Sequence, residues 1–278
     1  MLEKLAKQTA IYGISTIVVR FLNYLLTPYY TRIFDQGEYG IVTDIYALIP
    51  FALVILSMGM ESSYFRFTTR AEEQGGDIME SKRRVFATTW GITSLNAVIF
   101  FAIVWLFNGA ISHIMGETYV THPEYVTIVA AIVMVDVWTM IPFSRLREQG
   151  RAMRFVMLKA LSVLLNVGLA IAFGIAGLYS TSFGVGWVLI ANLIASVVTL
   201  IALLPTTGGV VPRIDVALLR KIFVYSLPLL ISGIAGTANE FIDRQMIKYL
   251  TPGDEATAMA ELGIYGAIVK IAVVMTLF

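Results

Sequence analysis

The chain of 278 residues contains no cysteine. Disulfides, thiolate nucleophiles and cysteine-based metal sites are therefore excluded. Histidine is nearly absent: the two, His113 and His122, fall in a polar connection. They read as solvated loop residues ahead of a zinc pair, because a zinc site needs further ligands in tetrahedral array. Charge is scarce, at 14% of residues against about 25% in soluble domains. The net charge of +1 projects no global field toward nucleic acid. There is no Gly-rich phosphate loop, no carboxylate pair with a metal ligand and no mid-span histidine. No cofactor, metal or catalytic set is read, and the chain is not expected to be an enzyme. What remains is apolar: 58% of residues are hydrophobic and the mean hydropathy is +0.78. One soluble core cannot hide so much apolar surface, and an all-α polytopic membrane protein is expected.

A spanning helix needs about 20 mainly apolar residues. Seven such stretches run approximately over 9–33, 39–62, 85–108, 124–144, 154–177, 182–204 and 222–248. An eighth starts at 262 and stops at VVMTLF with no polar flank, which reads as a C-terminally truncated chain. The first stretch continues to about Tyr30 with no A-x-A cleavage site, so it reads as a retained span and not a signal peptide. Connections such as FDQGEYG, AEEQGGDIMESKRR, REQGRA and TPGDEA carry turn signals. Lys and Arg concentrate before the first span and around the second, fourth and sixth connections. The third and fifth connections have none. By the positive-inside rule the N-terminus is expected to be cytoplasmic.

An internal repeat divides the chain. Aligning spans one and seven places Asn23 on Asn239, Arg32 on Lys248 and Gly37 on Gly253, and EYGIV then resembles LGIYGAIV. A six-span unit makes this a parallel repeat about an axis along the membrane normal. Residues 1–208 would form an N-terminal lobe of six helices and 209–278 the first two helices of a C-terminal lobe. Spans one and seven are expected to approach each other across a central cleft.

Polar stripes mark the spans. Thr16, Arg20, Asn23 and Thr27 share one helical face, and Arg20 sits near mid-depth, where a charge is a functional hypothesis by default. Milder stripes follow: Thr89, Thr93 and Asn96; Asp136 and Thr139; Lys159, Ser162 and Asn166; Asn192, Ser196 and Thr199. Any one stripe can be helix-to-helix glue. Together they point to a hydrated cavity. Asp44 is either interfacial or a partner of Arg20, and the sequence leaves both open. Lys159 lies close enough to a span end to snorkel to the surface. In EFIDRQMIKY, residues 240–249, the charges Glu240, Asp243 and Arg244 share a face near the outer end of span seven. They form either an ordinary interfacial i,i+4 pair or the outer rim of the cavity, with Glu240 facing inward.

RFLNYLLTPYYTRIFDQGEYGIVTDIYALI with LSMGMESSYFRF resembles the opening of bacterial polysaccharide and O-antigen flippases. YSLPLLISGIAGTANEFIDRQMIKYLTP with LGIYGAIVKIA resembles the start of their second half, through Ser226-Leu227-Pro228, Asp243-Arg244, Tyr249-Leu250, Leu262-Gly263-Ile264-Tyr265 and Lys270. The family sits in the multidrug/oligosaccharidyl-lipid/polysaccharide exporter superfamily. The resemblance implies two six-helix lobes around a cationic cavity, working by alternating access on a polyprenyl-pyrophosphate-linked oligosaccharide in the membrane lipid. Arg suits a pyrophosphate through its planar fork of donors, and amides suit sugar hydroxyls. The expected substrate contacts are Arg20, Asn23, Thr27, Asn166, Arg244 and Lys270. Asp44, Asp136, Glu240 and Asp243 are the expected charge partners or sites for a coupling proton or sodium ion. A drug/cation antiporter of the same superfamily would favour cavity carboxylates, and a membrane-embedded glycosyl- or acyltransferase would need a catalytic constellation. A structural membrane subunit is the residual alternative.

Overall fold

The structure, a computed structural model, describes residues 26–74 and 77–275. Every regular element among the described residues is helical. The helical residues 26–33 (α1) lead into α2 (Gln36–Ser57), α3 (Met60–Gln74), α4 (Ile78–Leu106), α5 (Asn108–Met115) and α6 (Glu117–Thr121). Next come α7 (Pro123–Glu148), α8 (Ala152–Ile175), α9 (Gly186–Leu203), α10 (Val216–Leu250) and α11 (Glu255–Met275). Six described segments are long and apolar enough to cross a membrane: Gln36–Glu73, Ile78–Leu106, Pro123–Glu148, Ala152–Ile175, Gly186–Thr207 and Val216–Leu250. The helices outrun the apolar stretches. α3 and α4 absorb most of AEEQGGDIMESKRR, and GETYVTHPE holds the short helix α6.

α2 begins at a capping box. The Asp35 carboxylate accepts from the Glu38 amide at 2.7 Å, and the Glu38 carboxylate accepts from the Asp35 amide at 3.1 Å. Two amides that the helix itself cannot pair are thereby satisfied. Asp35→Ala is expected to cost about 1 kcal/mol, seen as a lower thermal-unfolding midpoint in detergent, with Asp35→Asn nearly unchanged. α2 ends where Met58 takes a left-handed conformation (φ 51°) followed by Gly59 (φ 68°). The bend sets α3 at an angle against α10: a Cβ on Gly59 would come within 3.0 Å of the Ser226 carbonyl.

Ion pairs gather the basic connections at one end of the bundle. Lys82 bonds Glu72 and, at 2.6 Å, Glu148; Arg84 bonds Asp215; Arg145 donates to the Thr207 carbonyl at 2.5 Å. This end is called the basic face. The opposite face carries the turn before α2, α5 with α6, the 176–185 connection and the turn before α11. Between them, α4 and α7 exchange bonds through two indoles: Trp90 Nε1 donates to the Trp138 carbonyl at 3.1 Å, and Trp138 Nε1 to the Ser94 carbonyl at 3.3 Å.

α2 and α11 approach most closely of all. A Cβ on Gly40 would strike the Met259 carbonyl, and one on Gly263 would strike the Gln36 carbonyl. A Cβ on Gly266 would strike the Thr43 side chain. Small residues of this kind let helix backbones touch within a membrane. Gly40 and Gly266 are the glycines of the two Tyr-Gly motifs, so the repeated motifs meet at this contact.

Candidate substrate cavity

A cavity of about 670 Å³ lies among α1, α2, α3, α7, α8, α9 and α11. Three of the four milder stripes converge on it: Asp136 and Thr139 from α7, Lys159, Ser162 and Asn166 from α8, and Asn192, Ser196 and Thr199 from α9. The convergence follows from helical spacing, since residues three and four apart occupy one face and each of these helices turns that face to the same space. The fourth stripe is different. Thr89 and Thr93 are fully buried between helices, and their hydroxyls donate to carbonyls one turn back at 2.8 and 3.0 Å. Asn96 donates to the Met58 sulfur at 2.8 Å. On α4 the stripe is packing.

The cavity wall holds three cations, Arg147, Lys159 and Lys270, against two carboxylates, Glu61 and Asp136. Glu61 pairs with Arg147 at 2.7 Å near the basic face. Asp136 accepts from the Ser196 hydroxyl at 2.6 Å. That leaves two ammonium groups held by aromatic faces. Lys159 Nζ lies 4.2 Å from the Phe143 ring centroid. Lys270 Nζ lies 5.5 and 5.7 Å from the Tyr39 and Tyr46 centroids. Neither has an ion pair among the described residues. Lys159 thus lines the cavity. Asn192 donates to the Tyr46 hydroxyl at 3.1 Å, and the Asn166 carbonyl oxygen is buried with no hydrogen-bond partner among the described residues. The wall can bind an anion through its ammonium groups and hydroxyl-rich groups through its amides.

The chain matches the family model described as "Polysaccharide biosynthesis protein" over residues 5–278. It belongs to that family. No curated protein sequence matches it. Among solved structures the fold is similar to the "Inward-facing conformation of a multidrug resistance MATE family transporter of the MOP superfamily", with a TM-score of 0.61 and 18% identity. That similarity covers 92% of this chain and 61% of the transporter, so the chain spans less than two thirds of its length. Among the described residues the fold is all-helical and similar to the fold of that structure.

The other expected site residues of this polysaccharide biosynthesis family member fall elsewhere. Arg20 and Asn23, and with them most of the first span, lie outside the described residues. Thr27 is buried on α1, but the cavity is lined there by Leu26 and Tyr30. Glu240, Asp243 and Arg244 do not line the cavity. Glu240 and Asp243 are exposed, and Arg244 donates to the Glu240 backbone carbonyl at 2.5 Å, so the side-chain pair is not formed. Asp243 accepts from the Tyr265 hydroxyl at 3.3 Å.

The Arg20 partner weighed for Asp44 lies outside the described residues; among those described, the charge partner of Asp44 is Lys248. Asp44 is fully buried and ion-paired with Lys248 of α10, itself 8% exposed. Tyr119 donates to the same carboxylate at 2.6 Å and Gln245 at 3.0 Å. In EFIDRQMIKY the groups that reach this buried carboxylate are therefore Gln245 and Lys248. One signal was available: Lys248, Gln245 and Phe241 recur at helical spacing, a stripe hidden by treating Lys248 as a span-end charge.

Proposed function

We propose that the chain belongs to a flippase that carries a polyprenyl-pyrophosphate-linked oligosaccharide across the bacterial inner membrane by alternating access. The basic face is cytoplasmic, as the Lys and Arg distribution requires. The observation that carries the reading is the wall of mixed chemistry: the Lys159 and Lys270 ammonium groups beside Asn166, Asn192 and Ser162. A pyrophosphate with sugars cannot cross hydrocarbon uncovered, whereas the prenyl tail can stay in lipid. The cations would take the phosphates and the amides the sugar hydroxyls. Arg20 and Asn23 would add to the same set from span one. The division into a lobe over 1–208 and the start of a second over 209–278 belongs to this proposal.

Asp136 favours a second reading, a drug/cation antiporter. Its carboxylate lines the cavity, and in that case it would hold the cationic substrate or a coupling proton or sodium ion. The deciding experiment reconstitutes the full-length protein in vesicles with a synthetic polyprenyl-pyrophosphate oligosaccharide. Transfer of the sugar to the far leaflet, read by a membrane-impermeant glycosidase, is the expected result. Export of a cationic dye without sugar transfer would overturn the flippase reading.

Asn166 gives a sharper prediction. An amide oxygen buried without a partner costs about 1–3 kcal/mol, and a group kept at that cost has its use when substrate arrives. Asn166→Leu is expected to hold or raise the unfolding midpoint while lowering sugar transfer roughly fivefold. Parallel assays of thermal unfolding and transfer check it.

A further inference from the structure

The buried charges that the cavity does not use form a group on the opposite face. Asp44 on α2 and Lys248 on α10 make an ion pair with both side chains almost wholly enclosed. The pair joins the two stretches assigned to different lobes. Tyr119 of α6 donates to Asp44, and its ring lies 4.8 Å from the Lys248 ammonium. Tyr249, next to Lys248, donates to the Ile114 carbonyl of α5 at 3.1 Å.

A second tie lies beyond the first. Glu255, opening α11, accepts from the Glu117 and Thr118 amides of α6 at 2.6 and 3.0 Å. Gly116 permits this approach: it has φ 123°, and a Cβ there would stand 2.8 Å from the Glu255 carboxylate. α10 and α11 thus hold α2, α5 and α6 together on the face away from the Glu61–Arg147 pair of the cavity wall.

We infer that the Asp44–Lys248 pair is a latch that closes the opposite end of the cavity, and that its rupture is required for the cavity to open on that face. Both charges left water to make the pair. Separating them without rehydration would leave two uncompensated buried charges, which is strongly unfavourable. Opening of the face supplies the water and so relieves the cost. The pair is therefore stable closed and stable open, with a penalty between. Two discrete arrangements are what a switching element needs.

These 278 residues contain no cysteine. With any cysteine elsewhere in the full-length protein replaced by serine, Met140→Cys on the cavity wall supplies a single thiol. Its labelling by a membrane-impermeant maleimide is compared in right-side-out and inside-out vesicles. Asp44→Asn and Lys248→Met are each expected to raise labelling from the opposite face roughly tenfold. Labelling from the basic face should stay near its starting rate, which reports a folded protein. The exchanged pair, Asp44→Lys with Lys248→Asp, is expected to return labelling toward the starting value. Unchanged opposite-face labelling in both single variants overturns the latch, as does failure of the exchanged pair to restore it. If the single charge variants do not fold, Tyr119→Phe carries the test. It removes one hydroxyl bond and keeps the ring, and should raise labelling roughly fivefold; no rise overturns the proposal. Transport is not read, so the outcome is independent of whether the substrate is a lipid-linked glycan.

Discussion

Gly263→Leu is expected to abolish the folded protein. A Cβ at this position would overlap the Gln36 carbonyl and stand 3.0 Å from the Gly40 amide nitrogen. Both obstacles are backbone, so no rotamer change relieves them, and α11 must move off α2. Overpacking a close contact costs about 1–3 kcal/mol when side chains can yield, and more when they cannot. No water-driven force between lipid-facing helices repays the loss, because lipid tails are as apolar as leucine. Size-exclusion profiles of detergent-solubilised protein should lose the monodisperse peak. Gly168→Leu is the control, since nothing lies within 4 Å of a Cβ there. A Gly263→Leu protein with the original profile and unfolding midpoint would show that α2 and α11 are not in contact.

Periodic features were legible in the sequence, and pairings between distant helices were not. Asp136, Asn166, Asn192 and Ser196 could be assigned because each belongs to a stripe on its own helix, and an apolar solvent forces such faces inward. The same logic overreached on α4. Thr89 and Thr93 have the spacing of a cavity stripe, yet their hydroxyls bond their own helix. A threonine can always satisfy itself in this way, so spacing alone cannot distinguish the two fates. Asp44 and Lys248 are 204 positions apart, and nothing local in either segment identifies the other. Depth misled as well: Lys248 near a span end reads as surface charge, but α5 and α6 cover that end. These two helices lie in a connection read as polar loop, so the cover itself was invisible.

The proposed repeat would give Asp44 a counterpart. Tyr39-Gly40 corresponds to Tyr265-Gly266, and four residues beyond each glycine stand Asp44 and Lys270. One half carries a carboxylate that a cation already satisfies. The other half carries a cation that lies against ring faces and has no ion pair among the described residues. An ammonium on a cavity wall with no carboxylate partner among the described residues is costly to keep. An arriving anion would remove that cost, and a pyrophosphate is the anion of the proposed substrate.

Lys270→Gln is accordingly expected to weaken binding of a polyprenyl-pyrophosphate oligosaccharide on the order of 100-fold, the scale of losing one partner of an enclosed charge pair. Export in a complementation assay should fail, while expression and the unfolding midpoint hold or rise because a buried charge has gone. Lys270→Arg should keep part of the activity, since the charge survives in a different shape. Lys221→Gln, an exposed residue of the basic face, should leave export unchanged. The cationic-drug reading predicts the reverse sign: removing a repelling ammonium near Asp136 should leave drug export intact or increase it. Normal glycan export by Lys270→Gln would detach the cation from the substrate and leave the Tyr39 and Tyr46 ring faces as its whole purpose.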